Sequence, residues 1–159
     1  MSILQAIPSS ISGTYVLVFS LSERQMFRAG KKIEADLLPG YYLYIGSAFG
    51  PGGLRARLNH HIHLRASARW HVDYLNRVAC LKEIWYTTAT KRREHDWVGL
   101  FQHLTELSLP VEGFGSSDCL CWAHLFYSEK FPLFEHFKNL LKQFFPDDPP
   151  LQRLSIVKL

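Results

Sequence analysis

The sequence predicts an α/β domain: a small, mainly antiparallel β-sheet flanked by helices. Three observations carry that prediction. β-branched and aromatic runs dominate the first fifty residues, and the turns between them leave no room for a crossover helix. From residue 53 the apolar period lengthens to about four, the spacing of helices packed on a sheet.

The elements follow in chain order. "GTYVLVFS", residues 13–20, is β-branched and aromatic behind a glycine and predicts a buried strand. "ERQMFRAGKKIEADLLPG" alternates around Gly30 and predicts a hairpin with a short second strand ending at Pro39-Gly40. "YYLYIGSA" is the next strand. After "FGPGG", Leu54, Leu58 and Ile62 recur every four residues and predict a helix over about 53–66, with a second over 70–79. "LKEIWYTTA" reads as a strand. "REHDWVGLFQHLTEL" sets Trp97, Val98, Phe101 and Leu104 on one helical face, with Pro110 as the stop. "CLCWAHLFY" reads as extended. Pro132 suits the first turn of a last helix, "FPLFEHFKNLLKQFF", which ends at the "PDDPP" break and leaves a short tail. Without repeats or linkers, residues 1–159 form one domain, its C-terminal helix and tail starting at about 132.

Composition narrows the function classes. A hydrophobic content of 47% with 20% charged residues in 159 residues is that of a globular chain with one core, which excludes a disordered one. Three cysteines, Cys80, Cys119 and Cys121, make an odd count without a disulfide-framework spacing, so a reducing cytoplasm is expected. There is no secretory leader pattern and no apolar run of about 18 residues, so no membrane partner is expected. The net charge of +4 is mild, but it is concentrated. Arg55, Arg57, Arg65 and Arg69, with His60, His61, His63 and His71, accumulate before the next carboxylate, Asp73. Such a segment suits a polyanion.

Several of these residues can carry chemistry. Tyr15 and Tyr44 lie on strands that, if neighbours, bring both phenols to one sheet face. Arg57 and His61 are four apart and project from the same side of the predicted helix. Glu94 shares a stripe with Trp97, Val98 and Phe101, which turns its carboxylate toward the core side. Each has a plainer reading: packing for the tyrosines, a solvated helix face for Arg57, a helix-dipole role for Glu94. His60 and His61 point about 100° apart and His63 lies on another face, so convergence on one ion is not expected; phosphate contacts from the solvent side are. Cys119, Cys121 and His124 form C-x-C-x-x-H, three candidate zinc ligands whose alternative is a pair of buried structural thiols. His71 and Asp73 are a second polar pair, either an N-terminal cap or a contribution beside a phosphate.

In order, "GTY" at 13–15, "YIG" at 44–46, "LRARL" with a histidine four residues after Arg57, and a later helix bearing Glu94 resemble the GIY-YIG nuclease superfamily. The "GSAFGPGGL", "WHVDYL" and "GFGSSDCLCWAHLFY" stretches are further similar to a compact branch of it, found alone or fused to DNA-repair glycosylases. The resemblance implies a GIY-YIG-like fold and phosphodiester cleavage with one divalent ion, usually magnesium. It makes Tyr15 and Tyr44 the motif tyrosines, Gly46 the motif glycine, Arg57 the catalytic arginine, His61 its companion and Glu94 the metal carboxylate. The partner implied is nucleic acid, foremost DNA, with a DNA-repair protein or a second copy as further candidates. The chain departs from the pattern in carrying Thr14 where isoleucine is usual, and in having no evident asparagine after the glutamate.

Elementary chemistry supports these roles. Arg57 offers a planar fork for phosphate oxygens. A tyrosine with a pKa of about 10 is a poor base unless a cation or His61 helps it. A phenylalanine at position 15 would keep the packing, so stability is expected to survive Tyr15→Phe. Two rival functions remain open: a catalytically inactive nucleic-acid-binding module of the same fold, and a protein-interaction or dimerisation domain using Phe134, Phe137, Leu141 and Phe144.

Overall fold

In a computed structural model, which describes residues 3–63, 68, 70–115 and 123–156, the strand β1 (Gly13–Leu21) has residues 13–19 all buried. A strand apolar on both faces belongs at the centre of a sheet covered on both sides. β4 (Gly40–Ala48) and β5 (Cys80–Thr87) flank it, and β6 (Leu125–Ser128) and β7 (Gln152–Ser155) complete the order β6-β4-β1-β5-β7. All four pairings are antiparallel. β2 (Gln25–Ala29) and β3 (Ile33–Leu37) form a separate hairpin.

Alternation along β1 divides the core. Tyr15, Leu17 and Phe19, with Tyr42 and Tyr44 of β4, pack against α1 (Gly53–Ile62), α2 (His71–Val78) and the hairpin. Val16 and Val18, with Leu43, Ile45 and Trp85, pack against α3 (Glu94–Gln102) and α4 (Phe134–Phe144). The fold is therefore α/β, a mainly antiparallel five-stranded sheet with four helices among the described residues. Leu54 and Leu58 are wholly buried and hold α1 to the sheet; truncating either to alanine costs about 2–5 kcal/mol.

Several boundaries differ from those the sequence predicts. α1 ends at Ile62 rather than near 66, and His61 is buried more deeply than Ile62, so the helix is turned slightly from the expected stripe. α3 ends at Gln102, short of Leu107. Beyond it Ser108 exchanges two backbone hydrogen bonds with Tyr127, drawing the chain to the β6 edge, where a helix cannot follow. Pro132 precedes the α4 N-cap, Leu133, instead of lying in the first turn. On α4, Phe134, Phe137 and Leu141 are core residues and Phe144 is exposed, so packing accounts for most of that stripe.

Within the short tail, Gln152–Ser155 is a strand. Arg153 of β7 lies 3.3 Å from the buried Glu83 carboxylate of β5 and supplies the charge that a buried carboxylate needs. The "PDDPP" break is also tied down: Asp148 accepts two hydrogen bonds from Arg93, and the Pro149 carbonyl accepts one from Thr87. Among the described residues no helix is long and apolar enough to cross a membrane.

Candidate active site

The pairing of β1 with β4 sets Gly46 opposite Tyr15 and Tyr44 opposite Leu17, so the two tyrosines lie diagonally on one face. Gly46 makes room for the Tyr15 ring: a Cβ there would stand 2.5 Å from the Tyr15 Cζ and Oη. α1 then brings its polar residues to this face. Its first turn is pinned where the Leu54 N–H donates to the Ile11 carbonyl at 2.8 Å, and Gly53, at φ +63°, crowds the same carbonyl as no side-chain-bearing residue could. Leu54 and Leu58 point inward, so the next inward position falls to His61, whose Nε2 is 2.8 Å from the Tyr15 hydroxyl. Arg57 projects beside it, its guanidinium 4.3 Å above the Trp70 ring at the entry to α2.

A cleft of about 450 Å³ opens at this end of the sheet. Of the residues singled out by sequence, Tyr15, Tyr44, Gly46, Arg57, His71 and Glu94 line it. The tyrosines are not exposed, however: Tyr15 is 1% and Tyr44 8% accessible, and they meet the cleft only at its wall. Glu94, in the first turn of α3, reaches it from the other side of the sheet. Its Oε2 accepts from Ser47 Oγ at 3.1 Å, and its Oε1 lies 3.1 Å from His124 Nδ1. His71 Nδ1 accepts from the Gly115 N–H at 2.9 Å, so the neutral ring carries its hydrogen on Nε2.

Burial sets the proton positions. It pushes the Tyr15 phenol above its ordinary value, against the opposing charge of Arg57, and pushes Tyr44 well above, aided by Tyr15 and Glu94. It pulls His61 down to about 3 although Asp73 opposes it, and lowers His71. Burial would raise Glu94, but hydrogen bonds from His124 and Ser47 and the charges of His124 and His95 outweigh it and hold the carboxyl below its ordinary value. Two phenols and two imidazoles are thus neutral at neutral pH beside an ionised carboxylate and a guanidinium.

Other expected site residues lie elsewhere. Arg55 donates to the carbonyls of Ile7 and Gln5, toward the N-terminal segment rather than the cleft. His60 is part-buried, with Nε2 3.0 and 3.1 Å from the two Asp73 oxygens, instead of facing solvent. The expectation that His60 and His61 cannot converge also needs correcting, because Asp73 of α2 sits between them, 4.0 Å from His61 Nδ1. His124 is buried and engaged with Glu94 through Nδ1; Cys119, Cys121, Arg65 and Arg69 fall outside the described residues. Sequence reasoning missed Ser47, Phe49, Trp70 and Arg92 in the cleft wall. Arg92 stacks 4.7 Å over Phe49, and the only signal for it was its place two residues before Glu94.

Residues 14–145 match the family described as Domain of unknown function DUF123. The chain belongs to that family. The matched span opens one residue before Tyr15 and takes in every residue lining the cleft, while β7 lies beyond it. No curated protein and no solved structure matches the chain.

Proposed function

We propose that this domain is a metal-dependent, endonuclease-like protein that binds DNA and hydrolyses phosphodiester bonds, in the manner of the GIY-YIG nucleases it resembles. The observation that carries the reading is the convergence of Tyr15, Tyr44, Arg57 and Glu94, from four separate elements, on one cleft. Phosphodiester hydrolysis needs a proton acceptor for water, positive charge at the phosphoryl oxygens and a donor for the leaving oxygen.

Each residue has a task that fits its surroundings. Among the described residues Arg57 forms no ion pair with a carboxylate; its fork lies beside the Tyr15 hydroxyl and over Trp70, where its remaining N–H groups can meet phosphoryl oxygens. Tyr15 takes a proton from water as it passes its own to His61 Nε2, across the 2.8 Å contact between them. Tyr44 stays protonated and donates to an oxygen of the phosphate, as does the Nε2–H of His71. Glu94 fits a hard cation: its carboxylate is ionised and faces the cleft, and each oxygen keeps a lone pair beyond its present hydrogen bond. Magnesium asks for few protein ligands, so one carboxylate suffices. When bound there, the ion supplies charge stabilisation at the phosphoryl group and a more acidic water.

The test is incubation with branched, nicked, single-stranded and duplex DNA in magnesium, manganese or chelator. Cleavage should require the ion and be lost in Glu94→Gln, whose amide keeps the shape without the charge. Salt-sensitive DNA binding with no cleavage of any substrate would replace this reading with the inactive binding module; no binding at all would leave the interaction domain.

A further inference from the structure

Behind Tyr15, on the side of His61 away from the phenol, lies a cluster of which the cleft chemistry uses only His61 Nε2. His61 is 1% exposed, and its Nδ1 is buried without a hydrogen-bond partner. That atom points toward Asp73, whose Oδ1 at 4.0 Å is beyond hydrogen-bond reach. His60 Nε2 approaches the same oxygen at 3.0 Å from the other side. The three ligand atoms lie within 4.8 Å of one another, and the Trp70 ring, 4.7 Å from that of His60, closes one side.

We propose that His60 Nε2, His61 Nδ1 and a carboxylate oxygen of Asp73 form a three-ligand site for a zinc-class divalent cation that joins α1 to α2. A hydrogen-bonded His60–Asp73 pair alone explains two of these groups and leaves a buried imidazole nitrogen wasted, a cost that native interiors rarely bear. A cation answers all three. Bonds of about 2.0–2.1 Å in a tetrahedron place ligand atoms about 3.3 Å apart, so the His60–Asp73 separation must open by about 0.3 Å and the other two close by at most about 1.5 Å. Two imidazoles and one carboxylate select zinc, cobalt or nickel over magnesium, and three protein ligands leave a fourth position for water. With the cation on Nδ1, Nε2 carries the hydrogen and donates to the phenol oxygen, so the 2.8 Å contact persists with its direction reversed and the relay from Tyr15 to His61 belongs to the metal-free site. The site is independent of Glu94, which lies across the sheet.

The experiment is metal uptake by chelator-stripped full-length protein, read by zinc dialysis and by the visible spectrum of cobalt(II). One equivalent should bind per chain, with four-coordinate cobalt bands and no thiolate charge-transfer band. The Cys119→Ser/Cys121→Ser double variant and Glu94→Gln should retain it, whereas His60→Gln and Asp73→Asn should bind at least tenfold more weakly. Should those two fail to fold, the wild-type cobalt spectrum and a melting temperature that climbs with zinc decide the matter. No uptake at micromolar zinc, a thiolate band, or a loss of binding that follows the cysteine or Glu94 variants instead would each overturn the site.

Discussion

Tyr15→Phe removes one oxygen and leaves the ring, so it separates what the hydroxyl does from what the packing does. The phenyl group still fills the space over Gly46 and keeps its place beside Leu17 and Phe19. What disappears is the 2.8 Å hydrogen bond to His61 Nε2, in a place where neither residue is more than 1% exposed. Because His61 Nδ1 has no hydrogen-bond partner either, the variant buries an imidazole with none on either nitrogen. An orphaned buried acceptor costs about 1–3 kcal/mol, and in a domain of this size that lowers the melting temperature by about 2–12 °C. The expectation from sequence, that stability survives because packing does, is therefore replaced by an expected loss of stability that unfolding can measure. Denaturant unfolding of the wild type, Tyr15→Phe, His61→Leu and the double variant, all in chelator, forms the assay. Removing both partners restores a matched apolar pair, so the double variant should be more stable than the sum of the singles by about 1–2 kcal/mol. Additivity within about 0.5 kcal/mol, with Tyr15→Phe melting like the wild type, would refute the buried bond.

In metal-free protein, acid should weaken the fold through His61. Its imidazole titrates near 6.5 in the unfolded chain and at about 3 in the fold, so between those values the unfolded chain binds the extra proton. Stability from this group is full above 6.5 and declines as pH falls toward 3, at up to about 1.4 kcal/mol per pH unit; His61→Gln should flatten unfolding free energies between pH 6.5 and 5. Gly46→Ala must displace a buried tyrosine ring, which costs about 1–3 kcal/mol in denaturant unfolding and lowers any cleavage rate with it. Arg57→Ala should slow cleavage by about 2.7–4 kcal/mol in single-turnover kinetics while DNA affinity changes far less; a parallel loss of both would make Arg57 a binding residue only. Arg153→Ala leaves Glu83 buried without its cation and should cost about 1–3 kcal/mol, although position 153 sits in a segment whose sequence reads as a tail.

Local pattern determined much of this protein. The doubly buried β1, the stripe of Leu54 and Leu58 and the face of Trp97, Val98 and Phe101 each follow from periodicity, because the side chains that define an element are also those it buries. Tyr15, Tyr44, Arg57 and Glu94 could be singled out by residue type and position, and strand pairing with helix placement carries all four to one cleft. What sequence could not supply is anything fixed by contact between distant segments. That residues 152–155 form β7 depends on pairing with β5, some seventy positions earlier, where Arg153 also meets the buried Glu83. That His60 turns from solvent to Asp73, and that Arg55 is taken up by Ile7 and Gln5, depends on how α2 and the N-terminal segment lie against α1. Proton positions are decided in the same way: a tyrosine and a histidine have ordinary values until the sheet and the helices close over them, and only the tertiary structure removes the water that would otherwise share their charge.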